Sequence, residues 1–210
     1  MEDKSLNVSL SPLRYADADV DYLWRMSVET YHQLIASGAF NPDDDIELIH
    51  GYLVKKMPKN RRHALITQAL LAIISQIIGI GKGWFLSVQD PITLSDSEPE
   101  PDLSVVRGSY SDYSNHPRAK DIGVVIEVSD SSLDYDSLVK KEMYALDGVD
   151  QYWIVNIQDE QIEVFTEPFE SDKKAGYRQH VIYLKEDTLP LVLDGKRVGL
   201  LDLKDVFPSE

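Results

Sequence analysis

The chain has 210 residues, 43% of them apolar, enough to bury a substantial core in one domain. Its net charge of −15 argues against a general nucleic-acid binder, whose affinity comes from cations that displace counterions from phosphates. The absence of cysteine excludes disulfides and thiolate metal sites, and fits a reducing, cytoplasmic setting.

The first residues, Met1 to Ser5, are acidic and lack an apolar stretch, so no secretory leader is expected. Residues 1–24 carry Leu10, Leu13, Tyr15 and Tyr22 and read as an arm or strand, with Pro12 opposing a regular helix. Ser27 is a good N-cap with Glu29 in the first turn, and predicts a helix ending at Gly38. Asn41 to Asp45 is a turn. Ile46 to Met57 reads as a strand pair pivoting near His50-Gly51, with Glu47 in its first arm. The run Lys55 to His63 is the concentrated basic segment of the chain.

An apolar helix is predicted from about Arg62 to Ile78, closed by Gly79, Gly81 and Gly83. The apolar stretch Ala64 to Ile80 is broken by Gln68, Ser75 and Gln76, and falls short of the roughly 20 residues of a membrane span. Trp84 to Leu94 and Asp102 to Arg107 are strand candidates. The polar loop Gly108 to Asp121 is expected to cover or edge the site. Gly123 to Val128 reads as a strand covered on both faces, since the apolar run Ile122 to Ile126 carries no charge. A helix then runs from Ser132 or Asp134 to Asp147, with Gly148 at its end. Further strands are predicted at Gln151–Asn156, Ile162–Phe165, Tyr177–Leu184, Leu191–Leu193 and Val198–Leu203, with Asp194-Gly195 a tight turn. No repeat or low-complexity linker interrupts the chain, so residues 1–210 are read as a single domain.

Several familiar signatures fail. The glycines at 79, 81 and 83 are misspaced for a dinucleotide fingerprint, and Lys82 is not followed by Ser or Thr as a phosphate loop requires. The five histidines show no metal-ligand spacing, and no serine sits in a nucleophile elbow. An acidic constellation is left. Asp102 ends the turn Glu98-Pro99-Glu100-Pro101, and Glu127 ends the buried run. A carboxylate beside a dry sheet is costly unless a positive charge meets it; Lys140 or a divalent metal answers that need. Asp136, Lys140 and Tyr144 are spaced i, i+4, i+8 and share a helix face. Carboxylates on rigid strands beside a cation suit metal-assisted phosphodiester hydrolysis. The plainer reading makes Asp102 a turn residue, Glu127 a strand-end charge, and Asp136–Lys140 a surface pair.

A resemblance adds to this. Gln89-Asp90-Pro91-Ile92, Ser97-Glu98-Pro99-Glu100-Pro101-Asp102-Leu103 and Val125 to Ser132 resemble the Uma2 family, also called DUF820. So do Asp136-x3-Lys140-x3-Tyr144-Ala145, Gly148-Val149-x2-Tyr152-Trp153, Glu47-Leu48-Ile49-x-Gly51 and His63. The match covers roughly residues 25–165, with a C-terminal strand region at about 166–210. The resemblance implies an α/β (α+β) fold of the restriction-endonuclease-like, PD-(D/E)xK kind: a mixed β-sheet flanked by helices, with extra C-terminal β-hairpins. It implies Asp102, Glu127 and Lys140 as catalytic residues, and Asp102, Glu127 and Glu47 as ligands of Mg2+ or Mn2+. Gln89, Asp136 and Tyr144 would support them. Ser129 stands where the wider nuclease pattern has lysine, so Lys140 on the following helix becomes its counterpart.

The function expected is a magnesium-dependent endonuclease acting on nucleic acid, with Lys59, Arg61, Arg62 and His63 meeting the phosphate backbone. The rival expectation, from another class, is a catalytically inactive nuclease-fold binding or regulatory module. The acidic charge and Ser129 favour that rival. The apolar helix and strand-rich tail suggest a homodimer, the commonest oligomer.

Overall fold

A helix needs its first N–H groups satisfied, and Ser27 does this for α1 (Val28–Ala36) by accepting from the Thr30 N–H. The computed structural model describes residues 23–41, 44–79, 83–171 and 174–207. The expected N-terminal arm and the glycine at 81 therefore lie outside the described residues, as does part of the turn 41–45. After α1 come the hairpin β1 (Ile46–Ile49) and β2 (Tyr52–Lys55), turning at His50 and Gly51 with φ of 49° and 79°. Asn60 caps α2 (Arg61–Ile78), its side chain accepting from the His63 N–H. Residues 66, 70, 74 and 78 recur every four positions, so Ile66, Leu70, Ile74 and Ile78 form one buried stripe.

The six-stranded sheet is built from β3 (Trp84–Val88), β4 (Leu103–Arg107), β5 (Ile122–Ser129), β6 (Gln151–Asn156), β7 (Gln161–Ser171) and β8 (Lys174–Leu184), in that spatial order. Only the β5–β6 pair is parallel, so the sheet is mixed. Between those two strands run α3 (Leu133–Tyr135), a π-helical turn (Asp136–Lys140) and α4 (Lys141–Leu146), the crossover that a parallel pair requires. A second hairpin, β9 (Thr188–Leu193) and β10 (Lys196–Asp202), turns tightly at Asp194-Gly195 and precedes α5 (Leu203–Val206).

Side chains alternate across a strand, and the two cores follow that period from Val124 to Val128 of β5; a register irregularity at Gly123 puts Ile122 on the opposite face from Val124. Val124, Ile126 and Val128 of β5 and Trp153 and Val155 of β6 face the α2 stripe and the C-terminal hairpin. Ile122 and Val125, with Tyr152 and Ile154, face the 133–146 helix through Met143 and Tyr144. All eight residues of β5 are buried, as expected of a strand covered on both sides. At Gly123 the hairpin lies close against the sheet: a Cβ there would lie 2.7 Å from Leu193 and 2.8 Å from Trp84.

Several expected boundaries shift for identifiable reasons. The strand expected over Trp84–Leu94 stops at Val88, because Gln89 adopts φ 54° and Pro91 has no N–H to donate. β7 extends past Phe165 through Glu167, at φ 60°, and Pro168, where the ladder to β6 has already ended and no donor is needed on that side. β9 begins earlier than expected, at Thr188, and runs through Pro190 on a two-stranded hairpin that tolerates proline at its free edge. The loop 108–121 does not edge the carboxylate site. Tyr110, Tyr113 and His116 instead line a separate hollow with His32 and Glu98. No helix among the described residues is long and apolar enough to cross a membrane.

Candidate active site

Register assembles the site. β4 pairs antiparallel with β5 at Leu103↔Ile126, so Asp102, one residue ahead of β4, stands opposite Glu127. The strand period turns Glu127 toward the 133–146 helix, where Lys140 Nζ donates to its Oε1 at 2.9 Å and the Tyr144 hydroxyl donates to the same oxygen at 3.0 Å. Lys140 also lies 3.6 Å from Glu47 Oε1, brought in by the β1–β2 hairpin. Glu47 Oε2 accepts from the Glu100 N–H, which ties the hairpin to the acidic turn.

The π turn matters to this geometry. The Lys141 N–H bonds Asp136 O, five residues back, and widens the helix at the point where Asp136 and Lys140 both face inward. Asp136 Oδ2 accepts from the Ser129 hydroxyl at 2.7 Å, and its carbonyl accepts from the Tyr152 hydroxyl at 3.1 Å. Ser129, in the position where a lysine was sought, thus anchors the helix that carries the lysine.

On the other side, His63 Nε2 lies 3.0 Å from Asp102 Oδ2, which also accepts from the Val128 N–H at 2.9 Å. Lys59 Nζ approaches Asp102 Oδ1 to 2.8 Å as an ion pair outside hydrogen-bond alignment, so that buried oxygen has no aligned donor among the described residues. Glu47, Asp102, Glu127, Asp136, Lys140, Lys59 and His63 line one cavity of about 420 Å³.

Burial and charge act on these groups in opposite directions. Burial pushes the Glu127 carboxyl up to about 8, despite the opposing pull of Lys140, and the carboxylates of Asp136, Asp102 and Glu47 add to the rise. Burial also raises Asp136 above its ordinary value, against Lys140 and the Ser132 and Ser129 hydroxyls. Burial would raise Asp102 too, but the His63 hydrogen bond and the charges of His63 and Lys59 outweigh it and hold that carboxyl below the usual range. Burial opposes the charge of Lys140, yet Glu127, Glu47 and Asp136 keep its ammonium well above its ordinary value. These four carboxyl groups thus line one cavity with a cationic Lys140.

The expected site residues separate under this geometry. Asp102, Glu127, Lys140, Glu47 and Asp136 come together, and Tyr144 touches Glu127 rather than Lys140. Gln89 is exposed and outside the cavity lining; its backbone N–H reaches Asp102 O at 3.3 Å. The residues expected to meet a phosphate backbone are mostly turned elsewhere. His63 is buried against Asp102, Lys59 pairs with Asp102, and Arg62 pairs with Glu160 at 3.1 Å. Arg61 is exposed. The pairing of His63 and Lys59 with Asp102 had one sequence signal, the Asn60 cap that places His63 in the first turn of α2. Tyr135, whose buried hydroxyl has no partner among the described residues, had none.

A mixed sheet flanked by helices, with acidic side chains on neighbouring strands and a lysine from the crossover helix, defines a restriction-endonuclease-like fold. The match to known proteins agrees: residues 28–198 fit the Uma2 family model, described as "Putative restriction endonuclease". The chain belongs to the Uma2 family. A crystal structure of a putative nuclease of DUF820 from Anabaena variabilis superimposes with a TM-score of 0.61 at 14% identity, covering 87% of this chain and 97% of the other. No protein of curated function matches the chain by sequence.

Proposed function

We propose that the chain is a divalent-metal-dependent nuclease that hydrolyses phosphodiester bonds in nucleic acid. One observation carries this reading: the β4–β5 register sets Asp102 opposite Glu127, and Lys140 is hydrogen-bonded to Glu127 within the same cavity. In the PD-(D/E)xK pattern Asp102 and Glu127 take the two carboxylate positions, and Lys140 takes the lysine's role from the crossover helix.

The donor set fits magnesium or manganese. It is all oxygen and exceeds the local positive charge, and Asp102 keeps an unaligned buried oxygen. Among the described residues no three of these side chains are already gathered as a metal-binding group, because Asp102 is engaged by Lys59 and His63 and Glu127 by Lys140 and Tyr144. Asp102 and Glu127 would hold the ion, with Glu47 as a further acceptor. When bound, the metal supplies an activated water and neutralises charge on the scissile phosphate. Lys140, fixed between Glu127 and Glu47, presents an ammonium toward charge developing on that phosphate. Tyr144 orients Glu127, and Asp136 holds the crossover helix to β5 through Ser129.

A second reading, a nuclease-fold binding or regulatory module without catalysis, is favoured by the internal pairing of Lys56, Lys59 and Arg62 and by the charge of −15. Salt-dependent affinity for DNA and RNA, measured with and without magnesium, separates the two. A nuclease gains affinity with metal and loses it as salt rises; a folded chain that binds neither metal nor nucleic acid belongs to the second class. We place its action in the cytoplasm, in keeping with the absence of cysteine.

A further inference from the structure

We propose that the Lys59 ammonium is a built-in competitor for the divalent ion at Asp102, filling the cation's place until metal displaces it. The inference rests on Asp102 being a metal ligand and concerns how that site is regulated. The two oxygens of Asp102 are held differently. Oδ2 is fixed by the protein frame, through the Val128 N–H of β5 and Nε2 of His63 on α2. His63 is itself set by the Asn60 cap and by Thr67 one turn further on. Oδ1 is offered to a cation: Lys59 Nζ lies 2.8 Å away without hydrogen-bond alignment, and no other donor among the described residues reaches it.

The two partners also differ in freedom. The Asp102 side chain is 5% exposed, whereas that of Lys59 is 36% exposed and comes from the connector between β2 and α2. A lysine is a compact point charge on a four-carbon stem with free rotation, so it leaves one anion for another or for water at small cost. The buried carboxylate cannot leave. Without metal it needs a counter-charge, because an uncompensated buried carboxylate is strongly destabilising. Beside His63 Nε2 on the other oxygen, Lys59 supplies part of that charge and keeps Asp102 oriented, at the expense of metal affinity. Once displaced, Lys59 swings to the mouth of the cavity, which Lys55 also lines and where an entering phosphate would meet both. Metal and phosphate would therefore bind cooperatively: the ion releases the lysine that helps to hold the substrate.

Calorimetric titration of the full chain with manganese chloride tests this, using wild type, Lys59→Met, Lys59→Arg, Asp102→Asn and the Lys59→Met/Asp102→Asn double variant. Lys59→Met is expected to bind manganese roughly two- to fivefold more tightly than wild type, the factor that matches losing a partly exposed ion pair. Lys59→Arg, which keeps the competing charge, should bind no more tightly than wild type, and the double variant should not bind. In thermal melts without metal, Lys59→Met should unfold at a lower temperature than wild type and gain more from manganese. Lys59→Gln replaces it if circular dichroism shows the Met variant unfolded. Equal or weaker binding by the neutral variant, beside a wild type that binds, overturns the competition and leaves the metal site standing. Absence of binding in every folded variant overturns the metal site itself, and the competition with it.

Discussion

Glu127 receives two donors on one oxygen and still has its carboxyl pushed up to about 8, because burial and three neighbouring carboxylates outweigh Lys140. The sign of the pH effect follows. A group with a raised folded-state pKa binds more protons folded than unfolded, so its contribution to stability is present below the unfolded value and lost as pH rises through the folded one. Glu127, and Asp136 in the same direction, should make the metal-free protein less stable between about 4.5 and about 8. Thermal melts across that range should show a falling midpoint, flattened in Glu127→Gln; an unchanged slope in the variant contradicts the assignment. Above about pH 8, where Glu127 is ionised, Lys140→Met removes the cation from a buried pair and should cost about 3–5 kcal/mol in denaturant unfolding. Restoring most of that loss with Glu127→Gln in the same chain would confirm that the cost is an unpaired charge; a loss within about 1 kcal/mol would contradict it. At this scale Asp102, Glu127 and Lys140 were legible, because each is a charge placed where a dry sheet makes charge expensive. The grip of Lys59 and His63 on Asp102 was not, since it depends on how α2 and its leading connector pack beside β4.

The π turn is the element on which the lysine's position depends. Its residues keep the i, i+4 spacing of an ordinary helix, so the sequence pointed to a shared face and gave no sign of the widened turn. The alternating apolar residues of β5 and the four-residue stripe of α2 were readable for the opposite reason: their periods are those of the elements themselves. Pro168 and Pro190 hid strand residues because both lie where the ladder asks for no donor. Two substitutions test the packing. Leu70→Ala, in the middle of the buried α2 stripe, should cost about 2–5 kcal/mol. Gly123→Ala forces a methyl against Leu193 and the Trp84 ring and should cost about 1–3 kcal/mol, mostly by loosening the C-terminal hairpin from the sheet. Equilibrium unfolding in urea measures both, and a neutral result at either position contradicts the packing described.

On the scale of the whole molecule, charge and surface decide what reaches the cavity. A net charge of −15, with Lys56, Lys59 and Arg62 already paired, predicts weak nucleic-acid binding that collapses as salt rises and strengthens with divalent metal. Self-association was anticipated through the apolar helix and the strand-rich tail; the α2 stripe is used inside the core, which leaves the tail, to which β8 belongs. The homodimer we retain as a proposal would instead form along β8, an edge strand that exposes Val181, Ile182 and Leu184. Light scattering at twice the chain mass, reduced by Ile182→Lys, is the expected result; a monomer at high concentration contradicts it. The restriction-endonuclease-like fold was legible through the resemblance of the chain's acidic motifs, in their order and spacing, to the Uma2 family. The second hollow under the loop 108–121 was not, because its lining comes from α1, β3 and that loop.

The most direct measurement is cleavage of plasmid DNA, single-stranded DNA and RNA by the purified chain in magnesium or manganese, beside Asp102→Asn at matched concentration and a chelator control. Metal-dependent cleavage by the wild type that disappears in Asp102→Asn, with both proteins folded by circular dichroism, is the predicted result. Cleavage that persists in Asp102→Asn, or a folded wild type that cuts none of the three substrates, would contradict a nuclease site at Asp102, Glu127 and Lys140.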